Sequence, residues 1–227
     1  MRHLLTICWI SVISALLFMV LGHLGQHDLS WKVSQISTYA ATAPYDYFIT
    51  TSMLLSSAAL IATGILISKH NIFRFGYLAH FAPVLSGASA SGLLMLAYFE
   101  ETAKNLPMLK KSGFWAIRVQ SFHDAGLLIF FYGAILLVIL LGILTAIYNF
   151  KKSHKLFGIL IISFGPAAYF LMTTPWPKYV GFEGITTGIN QRAALFCLWA
   201  AVTIFLAVIS NNAPLQASIE SSDRISP

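Results

Sequence analysis

The side chains able to do acid–base or ionic chemistry gather at the ends of apolar runs. His23, with His27 and Asp28 just beyond it, closes the first run. Glu100 and Glu101 close the third, His123 and Asp124 open the fourth, and Arg192 opens the sixth. Runs that cross a membrane alternate in direction, so these groups come to one side at roughly one depth and can line a single outward-facing pocket. Ionisable groups in such places are costly in hydrocarbon and are the first candidates for function. Two kinds of chemistry fit. In one, His123 is a general base oriented by Asp124 or Glu100, Arg192 stabilises developing negative charge, and water attacks a lipid, since no Ser or Cys stands out as a nucleophile. In the other nothing is transformed. Arg192 and His123, with His23, His27 and Trp199 nearby, hold an anionic headgroup, a role suited to a guanidinium.

Each residue also has a plain structural reading. Ser121-Phe122-His123-Asp124 resembles a capping box with Ser121 as N-cap, in which Asp124 satisfies free amides and favours the helix dipole. Arg192 near a helix start opposes the dipole, so compensation is expected from Glu100, Glu101, Asp124 or Glu183. Trp199 lies seven residues after Arg192 and shares its helix face, so both point into the bundle. Seven histidines also raise a haem b reading with His23 and His123 as axial ligands at matching depth. His80 belongs to the opposite side. No HExxH or CxxC spacing is present, so no dedicated metal site is expected. Cys8 and Cys197 sit in apolar runs and read as small buried hydrophobes.

What must position these groups follows from composition. The chain has 227 residues, of which 57% are hydrophobic and only 10% charged, and its mean hydropathy is +0.75. Soluble domains carry roughly a quarter charged residues. That balance excludes a soluble enzyme, a nucleic-acid binder and a disordered regulator, and it supplies about six spans of about 20 residues. The spans are expected at 4–24, 47–68, 78–99, 122–148, 156–173 and 190–210, giving an all-α bundle of six transmembrane helices. The first run is too long for a signal peptide and reads as a retained span. Pro166 is expected to kink the fifth. Gly87 with Ser91, and Ala88 with Gly92, form small-xxx-small pairs that read as close helix packing.

The connections alternate. Residues 69–77 and 149–155 are short and basic, whereas 25–46, 100–121 and 174–189 are longer and contain acidic residues. The concentration of Lys and Arg in the two short loops places both termini in the cytoplasm. Phe114, Trp115, Ile117 and Val119 beside Lys110, Lys111 and Arg118 suggest a segment lying along the membrane surface. Residues 211–227 form a polar, Ser-rich tail expected to be flexible.

Three motifs carry a resemblance. "QISTYAATAPYDYF" leads into the second span with Ser37 and Tyr39, "FHDAGLLIFF" opens the fourth with His123, and "GINQRAALFCLW" opens the sixth with Gly188, Arg192 and Trp199. In order and spacing they resemble the bacterial and archaeal membrane family called domain of unknown function 998, over residues 5 to 210. The family's Phe-Pro-x-Asp-like element after the third helix is replaced here by "YFEETAKNLP", so no aspartate role carries over. The resemblance implies a six-helix integral membrane protein and no established reaction. The expected protein is thus a multi-pass component of a cell membrane, the cytoplasmic membrane of a prokaryote. It binds a lipid or other small hydrophobic ligand, or serves as an accessory subunit. Its partners are membrane lipid and other membrane proteins, not nucleic acid. A lipid-modifying hydrolase and a haem b electron-transfer subunit are the alternatives.

Overall fold

The computed structural model describes residues 2–25, 46–69, 76–99, 114–147, 152–173 and 186–223. These form six helices: α1 (Arg2–Gly25), α2 (Asp46–Lys69), α3 (Gly76–Tyr98), α4 (Phe114–Ile147), α5 (Lys152–Thr173) and α6 (Thr186–Asp223). Each contains a stretch long and apolar enough to cross a membrane: His3–Gly25, Asp46–Lys69, Tyr77–Tyr98, Ser121–Ile147, His154–Thr173 and Ile189–Asn211. No strand occurs among the described residues. Backbone groups in hydrocarbon must be satisfied within the segment, which leaves the helix as the form an isolated apolar run can take.

Side-chain contacts fix the packing direction. Ser52 Oγ donates to the Ala15 carbonyl at 2.7 Å, and Thr63 Oγ1 lies 3.8 Å from Cys8 Sγ. Numbers rising on α2 meet numbers falling on α1, so the pair is antiparallel. Ser57 Oγ donates to the Ala90 carbonyl at 3.2 Å between α2 and α3. Glycines set the next two crossings. A Cβ on Gly92 of α3 would lie 2.6 Å from the Gly126 carbonyl of α4, and one on Gly158 of α5 would lie 2.6 Å from the Ala146 nitrogen of α4. Neither crossing has room for a side chain. Each helix packs on the next in sequence, and α6 returns to touch both α4 and α1. The result is an up-and-down bundle.

Its core is apolar, with Ile49, Leu66, Leu137, Leu141, Ile161 and Phe205 all but inaccessible. Its outside is apolar too. On α1, Ile7, Ile10, Ile13, Leu17, Val20 and Leu24 form an exposed stripe at helical spacing. In water such a stripe would be a large aggregation surface; against acyl chains it is solvated.

The apolar stretches within these helices lie within two residues of the span limits read from the sequence, while three of the helices run beyond them. Several local readings change in detail. α4 starts at Phe114, so Phe114–Gln120 is the helical approach to the span rather than a separate surface-lying segment. Ser121 is consequently an interior helical residue and not an N-cap, and the capping account of Asp124 fails with it. α6 continues to Asp223, past residue 211 where the sequence placed the start of a polar tail, and it runs through Pro214. The small-residue motif of α3 divides by face. Gly92 is buried in the α4 crossing, whereas Ser91 is exposed and a Cβ on Gly87 would meet nothing within 4 Å.

Candidate functional site

The end of the bundle that carries the candidate residues is built by the last turns of α1 and α3 and the first turns of α4 and α6. His23 lies in the final turn of α1, half-buried. Its Nδ1 is 2.7 Å from the Met19 carbonyl, one turn back. A carbonyl only accepts, so Nδ1 carries the proton, and in the neutral ring Nε2 holds a lone pair. Arg192, two turns into α6, aims at that lone pair: its Nε–H donates to His23 Nε2 at 2.8 Å. A guanidinium only donates, so both ends of the imidazole have one consistent assignment. An imidazolium would offer no acceptor, and the contact therefore belongs to the neutral ring. The pair links the first helix to the last through a charge-assisted hydrogen bond. Trp199, seven residues along the same face of α6, is half-buried and packs against the core.

His123 occupies a different corner. It is 5% exposed, and its Nδ1–H donates to the Phe99 carbonyl at 2.7 Å. Carbonyls at a helix C-terminus lack intrahelical partners, and here α4 supplies one to the end of α3. The Phe99 and Phe122 rings stack beside it, 4.9 Å between centroids. A backbone carbonyl thus orients His123 through Nδ1, a partner that the sequence did not suggest beside Asp124 and Glu100. Asp124 is exposed on α4.

The structure therefore joins His23 to Arg192 and places His123 on helices that pack elsewhere: α1 lies against α2 and α6, and α4 against α3, α5 and α6. α6 is the neighbour common to both. His27, Asp28, Glu100, Glu101 and Glu183 lie outside the described residues. Arg192 meets an imidazole at 2.8 Å, a partner that a search for compensating carboxylates does not suggest. Bis-His haem would need the Nε2 lone pair that His23 gives to Arg192, so the described geometry does not present the ligand pair. No group of three or more His, Cys, Asp or Glu able to hold a metal occurs among the described residues.

Sequence reasoning passed over three further contacts. Ser52 and Ser57 on α2 tie that helix to α1 and α3, and Trp9 Nε1 donates to Ser210 Oγ at 3.1 Å at the opposite end of α1 and α6. The serine repeat in "SMLLSSAAL" was the signal for the first two. Nothing in hydropathy marks Trp9 with Ser210.

A family model described as "Protein of unknown function (DUF998)" matches residues 9–208. The chain belongs to that family. The match runs from α1 into the last turns of the α6 span, so it takes in the His23–Arg192 contact and the His123 corner together. No curated protein and no solved structure matches the chain.

Proposed function

We propose that this DUF998 protein is a non-catalytic lipid-binding component of the cell membrane, and that it holds an anionic headgroup at the end of the bundle where α1 meets α6. The observation that carries this reading is the 2.8 Å contact from Arg192 Nε to His23 Nε2. It fixes a guanidinium at the rim of a span, with its plane oriented by the His23 ring. Phosphate and carboxylate groups of lipids lie at that level, and a guanidinium with several donors recognises either through paired, charge-assisted hydrogen bonds. Trp199, about 10 Å deeper on the same face of α6, offers an aromatic surface at the depth of the chains.

The test uses purified full-length protein in mild detergent, supplied with equal phosphatidylglycerol and phosphatidylcholine and weighed intact. Wild type is expected to retain phosphatidylglycerol in preference, and Arg192→Ala to lower that preference about tenfold, the scale of one charge-assisted hydrogen bond. An unchanged preference in Arg192→Ala overturns the reading.

One observation favours a second reading, a hydrolase acting on lipid. With Nδ1–H held by the Phe99 carbonyl, Nε2 is the ring nitrogen left to act as a general base. Lipid turnover by wild type that vanishes in His123→Ala, while the Phe99→Leu protein keeps it, supports catalysis. Turnover that survives in His123→Ala removes it.

A further inference from the structure

The line where α1 meets α6 carries a side-chain hydrogen bond at each end and accessible side chains between them. At one end stands the Arg192–His23 hydrogen bond, at the other the bond from Trp9 to Ser210. Trp9, Leu16 and His23 are spaced by seven and share a face of α1. Arg192, Trp199, Thr203 and Ser210 share a face of α6. Leu16 lies midway between the two bonds, on the very face that meets α6, and is nevertheless 43% exposed. On the face toward α2, Cys8, Val12 and Ala15 are at most 2% exposed. Trp199 and Thr203 are only half-buried. The gap opposite, between α4 and α6, is backed by α5, which packs on both. Among the described residues α1 packs mainly on α2 and only lightly on α6, so the seam is the looser of its two main contacts.

Resting on the headgroup reading above, we infer that the seam between α1 and α6 seats one acyl chain of the phospholipid whose anionic headgroup Arg192 holds. The dimensions agree. Eleven residues separate Arg192 from Thr203, about 16 Å at the helical rise, and one leaflet is half of a hydrocarbon core of about 30 Å. The Trp9–Ser210 bond lies beyond that depth and closes the seam at the far leaflet, so the chain enters from one side only. The walls, Leu16 and the Trp199 ring, suit a flexible chain. A helix of another protein would need small residues to approach this closely, and the seam offers Leu16 and Trp199 instead.

The experiment places the photoreactive residue p-benzoylphenylalanine at Leu16 and, in a separate protein, at Leu54, which is 47% exposed on the lipid face of α2. Both positions already face outward, so the bulk is tolerated. The full chain is set in bilayer discs of equal phosphatidylglycerol and phosphatidylcholine, irradiated, and the covalent lipid adducts are identified by mass. The ratio of phosphatidylglycerol to phosphatidylcholine at Leu16 is expected to exceed that at Leu54 about tenfold, and Arg192→Ala is expected to bring the two together. Equal ratios in the unsubstituted background overturn the seam, as does labelling of Leu54 without labelling of Leu16. If the ratios are equal while the intact protein still prefers phosphatidylglycerol through Arg192, the seam fails and the headgroup reading stands. If that preference is missing too, both fail.

Discussion

At the scale of single residues, the decisive feature is that a cation near the end of a membrane span is matched with an imidazole. His23 can accept from Arg192 only because the Met19 carbonyl fixes its proton on Nδ1. Removing the ring strands the guanidinium N–H, and removing the guanidinium leaves a ring that still has its carbonyl partner. His23→Leu should therefore cost more stability than Arg192→Leu, and the double substitution should cost less than the sum. A coupling of about 1.5 kcal/mol is expected from a double-mutant cycle of unfolding in mixed detergent, at the upper end for hydrogen bonds between membrane helices. Additive losses would mean that the contact carries no energy. The sequence showed that both residues belong to one end of the bundle, because alternation of spans needs only hydropathy. It did not show that they touch. Which helices are neighbours depends on crossing geometry, which an apolar run does not encode, and a search for carboxylates directs attention away from a histidine. His123 was legible as a polar group at a span start, but its partner is a backbone carbonyl, and main-chain acceptors have no sequence signature.

At the scale of elements, the crossings are set by where glycine faces a neighbour and where it faces lipid. Gly92 and Gly126 bring α3 and α4 into backbone contact, whereas Gly87, five residues earlier on the same helix, has open space around its missing Cβ. Gly92→Val should lower the unfolding free energy by about 2 kcal/mol or more through overpacking. Gly87→Val should stay within about 0.5 kcal/mol of the wild type, as outward-facing substitutions do. Equal effects at both sites would contradict the assignment of faces. The small-residue motif was readable in "SGASASG", but the half of it that packs was not, since two overlapping pairs at i, i+4 point to different faces. The start of α4 was misread for a related reason. Ser121 looked like a cap because the residues before it are mixed in character, yet Phe114–Gln120 continue the same helix.

At the scale of the whole molecule, six spans return the C-terminal helix to the N-terminal one, so both ends of the chain lie on one side of the bundle. The basic short loops at 69–77 and 149–155 predict that this side is the cytoplasm; a reporter fused after Pro227 should be active in its cytoplasmic form, and activity only in an exported form would reverse the orientation. This architecture was the most legible level of all, because 57% hydrophobic content against 10% charge leaves an all-helical membrane bundle as the form that satisfies the backbone. The proposed lipid ligand was the least legible, since its recognition would need one charge and a shape that exists only once α1 and α6 are side by side. The most direct measurement is the native mass spectrum of the full-length protein extracted from its own membrane in mild detergent, with no lipid added. A discrete adduct with the mass of an anionic phospholipid, lost in Arg192→Ala, is the predicted result. Haem mass, zwitterionic lipid alone, or a bare polypeptide would contradict it.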